Sequence, residues 1–224
     1  MTVQATPNAA GRLVPTEVND IPMVPFRGVG AHRPEGRLAS PPLRSSVDYP
    51  LDGDKRLKGG LRELLERAEL SDGACISTHH HYRNGDLLAN ALFAAAADLG
   101  LRDLVWCPSS VFPCHAPVIE LCERGVIQRI ESGLNGPVGD WVSRGGMRGT
   151  GVWRSHGARP LAIRSGEVRI DLAVVAASAA DLFGNANGLL GPNPCGPLGF
   201  SRVDARHAAR GAVATDHLGA SPCL

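Results

Sequence analysis

The stretch Ser77-Thr78-His79-His80-His81-Tyr82-Arg83-Asn84-Gly85-Asp86 concentrates side chains able to do chemistry. Ala74-Cys75-Ile76 before it is a short apolar run that reads as a strand. Leu87 to Leu99 after it is rich in Ala and Leu, a strong helix-forming composition. The histidines, Arg83, Asn84 and Gly85 therefore sit on a strand-to-helix turn. In parallel α/β sheets such turns open onto the ligand crevice, at the carboxyl ends of the strands. The following helix turns unpaired N–H groups and a partial positive charge toward that crevice. Arg83 adds a cation whose planar fork matches a carboxylate. Together these parts suit an anionic, carboxylate-bearing ligand.

On an extended strand end, His79 and His81 face one side and His80 the other. One chemistry open to them is metal binding, since His-x-His is common among zinc ligands. No third ligand or acidic partner stands at a diagnostic spacing, so this is the weaker alternative. The second is recognition of a carboxylate or thioester by imidazole donors, neutral or charged near physiological pH. The third is structural: one or two are hydrogen-bonded core residues. For a single histidine the structural role is favoured. For the group, beside Arg83 and Asn84, anion binding is favoured.

Other candidate residues fall on loops of the same type. Ser109 and Ser110 follow the strand Asp103–Cys107 and open onto the same sheet edge. Either as a helix cap or as a turn, their N–H groups can hold a carboxylate. Ser132-Gly133-Leu134-Asn135-Gly136 follows the strand Val126–Ile130, and its glycines permit close backbone approach to a ligand. Its spacing is neither a dinucleotide fingerprint nor a P-loop. Arg154-Ser155-His156-Gly157-Ala158-Arg159 places a histidine and two arginines before a helix. Arg154 or Arg159 could supply a second cationic contact, although a solvated helix face is favoured for Arg159. Asp181 to Gly188 is a tight Asp, Gly and Asn loop on local grounds alone. There is no Gly-x-Ser-x-Gly elbow. Cys114-His115 are neighbours in sequence, which does not make them partners in space.

The elements that position these loops alternate. Gly60–Glu69 is an amphipathic helix, with Leu61, Leu64, Leu65 and Ala68 at helical spacing. Strands are expected at Ala74–Ser77, Asp103–Cys107, Val126–Ile130, Gly151–Arg154, Ile170–Ala176 and Ala212–Thr215. Helices are expected at Asp86–Leu99, His115–Arg124, Val138–Ser143, Ala158–Arg164 and Asp204–Ala209. Gly100 and Gly125 are placed to end the first two of these. Alternation with continuous apolar strands predicts an α/β domain: a mostly parallel sheet with helices on both faces, over 60–224. Residues 1–20 read as a disordered leader and 21–59 as an extended arm, both rich in Pro, Gly and Arg.

Composition narrows the function classes. At 224 residues with 43% hydrophobic content, the chain can pack a substantial core. A net charge of +1 provides no basic field for nucleic acid or an anionic membrane. Aromatic residues are 4%, too few for base-stacking platforms. The longest apolar runs fall well short of the roughly 18 residues of a spanning helix, and the N-terminus lacks a signal-peptide pattern. A soluble cytoplasmic protein is expected. The six cysteines form no Cys-x-x-Cys pair and read as reduced thiols.

His79-His80-His81-Tyr82-Arg83-Asn84-Gly85-Asp86, preceded by Leu70-Ser71-Asp72-Gly73, closely resembles the citrate lyase alpha chain family, a branch of the CoA-transferase superfamily. The resemblance continues through Pro108-Ser109-Ser110, Ser132-Gly133-Leu134, Arg154-Ser155-His156-Gly157, Gly184-Asn185-Ala186-Asn187-Gly188 and Cys195-Gly196-Pro197-Leu198-Gly199. It begins near Val24-Pro25-Phe26 and reaches about Thr215-Asp216, in the same order. It implies a CoA-transferase-like fold of the NagB/RpiA/CoA-transferase type. It also implies a transferase that exchanges acetate for citrate on a carrier-protein thioester, giving citryl-thioester and acetate through a mixed anhydride. His79, His80, His81, Arg83, Asn84, Ser109, Ser110 and His156 would then bind the acid. Ser132, Gly133, Asn185 and Asn187 would lie along the path of the thioester carrier. No cofactor is expected on this chain, which would act on the CoA-like prosthetic group of the carrier. A lyase (beta) subunit and an acyl carrier (gamma) subunit are the expected partners, in an oligomeric complex without nucleic acid or membrane. Full alpha chains carry a second half that normally holds the superfamily's catalytic glutamate. Glu120 and Glu131 are available here, but nothing places either as a nucleophile. The sequence thus reads as the N-terminal half only, weakly active or inactive alone. Two alternatives are a non-catalytic scaffold fragment for lyase assembly and a small metalloprotein using His79 and His81.

Overall fold

The computed structural model describes residues 4–28, 55–79 and 81–220. His80 and residues 29–54, with the Pro34-Glu35-Gly36 and Leu43 to Ser46 motifs, lie outside the described residues.

The leader differs from its expected disorder. Strands β1 (Ala5–Pro7) and β2 (Leu13–Pro15) pair antiparallel, as do β3 (Glu17–Val18) and β4 (Ile21–Pro22). Turn chemistry outweighs composition here. The Asn8 side-chain carbonyl accepts from the backbone N–H groups of Ala10 and Arg12, each at 3.0 Å. Asn19 and Asp20 take the left-handed backbone, φ 51° and 63°, that the second hairpin needs. Asn19 also donates to the Met147 carbonyl at 2.9 Å, tying this hairpin to the domain.

The domain begins with helix α1 (Gly60–Ala68), which buries Leu65 and Ala68 and ends at Glu69 in the left-handed conformation. Then come β5 (Cys75–His79), α2 (Leu88–Asp98), β6 (Leu104–Trp106), α3 (Val118–Glu123) and β7 (Ile127–Ile130). Gly100 and Gly125, at φ 79° and 74°, follow α2 and α3 as their sequence positions predict. Next are α4 (Gly136–Ser143), α5 (Ala158–Arg164), β8 (Leu172–Ala176), the small pair β9 (Ala179–Ala180) and β10 (Ala186–Asn187), α6 (Ser201–His207) and β11 (Arg210–Ala214). The expected strand at Gly151–Arg154 is reduced to a single bridge between Glu131 and Val152.

Five strands form one sheet in the order β11-β8-β5-β6-β7, every pair parallel. This is the expected α/β architecture. Alternation along β5 divides its side chains between two layers. Ile76 joins the apolar cluster with Leu65, Leu92, Leu121, Trp106 and Val138, under α1 to α4. Cys75 joins Cys107, Ala162, Ile163 and Ala208 on the opposite face, under α5 and α6. The chain runs β5, β6, β7 outward, returns to place β8 on the other side of β5, then continues to β11. Its direction reverses at β5, so the crevice at a topological switch point falls at the carboxyl end of that strand.

Candidate anion-binding site

All five residues of β5 are buried, including three polar ones, Ser77, Thr78 and His79. Polar side chains in a central strand require partners. Thr78, on the α2 side, accepts from the Trp106 indole N–H at 2.9 Å. Ser77 and His79 point to the α5 and α6 side and meet a buried ion pair. Arg159 of α5, 2% exposed, grips Asp204 of α6, 0% exposed, through both terminal nitrogens. Arg159 also donates to Ser77 Oγ at 3.1 Å and to the Cys107 carbonyl at 2.7 Å. Ser77 donates to the second oxygen of Asp204. His79 Nε2 lies 3.2 Å from Asp204 Oδ1, within ion-pair range but off the line of a good hydrogen bond. Burial alone would raise the Asp204 carboxyl. The adjoining His79 and the hydrogen bonds and charge of Arg159 outweigh it and hold the group well below the usual carboxylate range. Arg159 is therefore a buried structural cation rather than the solvated helix face expected from its sequence.

Aromatic rings extend the cluster outward. His79 stacks on His81 with ring centres 5.9 Å apart and planes 14° apart, as the strand alternation predicts for that pair. Phe200, just before α6, meets three of the groups. Its ring centre is 6.0 Å from His79, 5.4 Å from His156, and 5.6 Å from the Arg159 guanidinium carbon. Burial, then the neighbouring His79, lowers the His81 imidazole to about 4. At neutral pH His81 is thus an uncharged hydrogen-bonding group, not a cation.

The other loops converge on the same edge. The Ser109 N–H donates to the Thr78 carbonyl at 2.9 Å, which places Ser109 and Ser110 beside the end of β5. Val111 N–H donates to the Gly133 carbonyl at 3.3 Å, joining the loop after β6 to the loop after β7. Ser132 is buried there, and its hydroxyl has no partner among the described residues. Asn84 is occupied in structure: its side-chain carbonyl accepts from the Cys114 N–H at 2.9 Å. Arg83 is exposed at φ 56° in a 3-10 turn, Arg83–Gly85. His156 is exposed apart from its contact with Phe200.

The Asp181 to Gly188 loop is held by its own side chains. Asp181 accepts from the backbone N–H groups of Phe183 and Asn185 and from the Asn185 amide at 2.8 Å. Asn187 accepts from the N–H groups of Leu189 and Leu190. At Gly188 a Cβ would come within 1.7 Å of the Gly196 carbonyl, so only glycine permits this closure. The Tyr82 hydroxyl donates to the Asn193 carbonyl at 3.1 Å, linking this region to the histidine turn.

Two features bear on the alternatives. Among the described residues, no group of three or more His, Cys, Asp or Glu is arranged to hold a metal ion. A groove of about 740 Å³ lies elsewhere, between α1 and strands β8 and β11, lined by Leu61, Leu64, Val213 and Leu218 among others. None of the predicted site residues lines it. It follows the outer side of β11, which pairs only with β8 among the described strands. Volume alone would select that groove; buried polar groups and converging loops select the end of β5.

Sequence reasoning missed Asp204, Ser77 and Phe200. A signal for the first two was present. Ser77 and His79 are two apart on a buried strand, so they share a face and demand a polar partner. Which residue answers that demand was not legible.

The comparisons agree with this geometry. A family model described as "Citrate lyase, alpha subunit (CitF)" matches residues 54–223. The citrate lyase alpha chain of Escherichia coli (strain K12) is 40% identical over 166 residues, 74% of this chain and 32% of that protein. That of Klebsiella pneumoniae is 39% identical over 187 residues, 83% of this chain and 35% of that protein. The chain thus spans about a third of the length of the curated relatives it matches. A crystal structure of the putative alpha subunit of citrate lyase from Streptococcus mutans, in complex with citrate, superposes with a TM-score of 0.76. It is 34% identical, over 83% of this chain and 36% of that one. A Pseudomonas malonate decarboxylase hetero-tetramer, 19% identical with a TM-score of 0.50 over 76% of this chain and 31% of that one, shares the fold alone. A five-stranded parallel sheet, a histidine turn at its switch point and a family match over most of the chain lead to one conclusion: the chain belongs to the citrate lyase alpha subunit family.

Proposed function

We propose that this chain supplies the acid-binding part of a citrate:acetyl-carrier transferase. The reaction exchanges acetate for citrate on a carrier-protein thioester and releases acetate and citryl-thioester. The observation that carries the reading is the convergence at the carboxyl end of β5. His79, His81, His156 and Phe200 adjoin one another there, and the Ser109 loop is bonded to Thr78. The citrate held by the Streptococcus mutans relative supports the choice of acid.

The physical task is to hold a carboxylate against a thioester carbonyl and to stabilise the oxyanion that forms. Preorganised N–H and imidazole donors supply both when water is excluded. Arg83 and the N–H groups of the Ser109 loop suit the carboxylates, and neutral His81 suits a hydrogen-bonding role without charge. Ser132 and Gly133, with nothing within 4 Å of where a Cβ would stand on Gly133, let a thioester arm approach the backbone. The catalytic group comes from the part of the relatives that this chain does not span. Glu131 does not replace it, being buried between Arg129 and Arg154. A lyase subunit and an acyl carrier subunit, in a cytoplasmic complex, complete the proposed system.

Calorimetric titration with citrate and with acetate tests the acid site: citrate binds more tightly, and failure of citrate to bind at millimolar concentration overturns the assignment. Exchange of labelled citrate into an acetyl-carrier thioester tests the division of labour. Little exchange is expected from this chain alone, and restored exchange when the remaining portion of a homologous alpha chain is added. Absence of restoration would favour a scaffold role.

A further inference from the structure

Helices α5 and α6 pack side by side on one face of the sheet, and their outer surface carries charge of a single sign. Arg159, Ala162 and Ile163 of α5 are buried against the sheet, as are Ser201 and Asp204 of α6. Helical periodicity turns Leu161 and Arg164 outward on α5, and Arg202 and Arg206 outward on α6. All four are exposed, as is Arg169 just beyond α5. Helix α5 holds no acidic residue, and the one in α6, Asp204, is buried. Among the described residues no carboxylate pairs with Arg164, Arg169, Arg202 or Arg206. The acids that follow α5 are taken: Glu167 pairs with Arg154 at 3.1 Å, and Asp171 accepts from the Cys75 N–H at 2.7 Å. The opposite face of the sheet is built otherwise. There Arg62 pairs with Glu66 at 3.0 Å and Arg67 with Glu63 at 2.6 Å on α1, and Arg124 with Glu120 at 3.5 Å at the end of α3. Arg164 and Arg206 stand in the last turns of their helices, where a cation is locally favoured. Arg202 stands in the first turn of α6, where it is disfavoured. Local helix stability therefore does not account for the set.

The face adjoins the candidate site. Each of the two helices leads into a parallel strand, so both begin at the carboxyl edge of the sheet, where β5 ends. His156 stands two residues before α5 and Phe200 directly before α6, with ring centres 5.4 Å apart. The Arg154 N–H donates to the Ser132 carbonyl at 3.4 Å, so the loop ahead of α5 also borders the thioester path proposed above. The complement of an unpaired basic face is an acidic one. A net charge of +1 and 4% aromatic residues speak against nucleic acid. Leu161, 65% exposed within the face, offers an apolar contact suited to protein. We propose that the outer face of α5 and α6 docks the thioester-bearing carrier through an acidic surface of that protein, seating it beside the mouth of the acid site. The proposal rests on the transferase reading above.

The probe is a purified acyl carrier subunit of a citrate lyase, labelled for fluorescence anisotropy and titrated with the whole chain. Wild type is expected to bind it, less tightly as salt is raised. Arg164→Glu combined with Arg202→Glu is expected to weaken binding by about tenfold or more. Arg164→Gln combined with Arg202→Gln is expected to weaken it by less, and carries the test if the glutamate pair does not fold. Arg62→Glu combined with Arg124→Glu makes the same change of net charge on the opposite face and is expected to leave binding within about twofold. Citrate affinity by calorimetry is expected to be unchanged in every variant. Carrier binding that survives the changes at Arg164 and Arg202, or that falls as far with those at Arg62 and Arg124, overturns the proposal. So does a short DNA duplex that binds the same face more tightly than the carrier. Citrate binding without carrier binding overturns the docking face and leaves the acid site standing. Carrier binding through this face without citrate binding supports the face and overturns the acid site. Binding of neither overturns both.

Discussion

The two faces of β5 are built on different principles. Toward α2, Ile76 and Thr78 pack with Trp106 and Leu92, and the hydrogen bond from Trp106 to Thr78 joins residues 28 apart. Toward α5 and α6, Ser77 and His79 meet an ion pair whose members are 45 apart, and Ser77 reaches Asp204 across 127 residues. One face is a hydrophobic layer that helices near in sequence cover. The other is a polar network completed only when the last helix docks. Apolar packing is tolerant of partner and angle, whereas a buried charge is stable only with a specific counter-charge. The candidate site therefore draws on the face whose assembly is least forgiving.

Five variants break or sharpen that contrast. Asp204→Ala leaves Arg159 buried without its counter-ion and is expected to cost about 3–5 kcal/mol in urea unfolding. A loss below about 1 kcal/mol would mean that the two faces do not differ in kind. Thr78→Val on the apolar face strands one indole N–H and is expected to cost about 1–3 kcal/mol, with Ile76→Val lower still at about 0.5–1.5 kcal/mol.

The acid response should come from the polar face. His81 titrates at about 4 when folded, below its ordinary 6.5. Its neutral form is favoured by folding, so its contribution is unchanged above about 6.5 and is lost as pH falls from there toward about 4. Asp204 acts lower. Its depressed carboxyl contributes stability that is present above the ordinary carboxylate value, near 4, and is lost as pH falls through the folded value. Thermal melts of His81→Gln across pH 7 to 4 should show a shallower decline than wild type. An identical slope would remove His81 from the buried stack. The smallest effect belongs to Arg83→Ala. As an exposed residue on a turn, it should change stability by no more than about 0.5 kcal/mol while weakening citrate binding. A large loss of stability there would assign Arg83 a structural rather than a ligand-facing role.

The elements were largely legible. Apolar runs and glycine stops located β5, β6, β7 and β8 and their helices to within a few residues, because periodicity and chain termination are local properties. The leader was not legible, because two asparagine-led turns fold a stretch whose composition predicts disorder. The place of the histidine turn at the end of β5 was legible, and His79 and His81 do share a side. Asn185 and Asn187 were legible as loop residues, and the structure shows their side chains engaged in closing that loop.

By itself, then, the sequence determined a parallel α/β layer and a histidine-bearing turn at the carboxyl end of one of its strands, since each follows from neighbours in the chain. Tertiary structure alone decided that Arg159 is buried, that Asp204 is its partner, and that Phe200 joins His79 to His156. Those groups lie on α5, on α6 and just ahead of it, and only the return of the chain past β8 brings them to one strand. Periodicity marks which side of a short helix is apolar; it carries no information on which distant polar group will stand opposite.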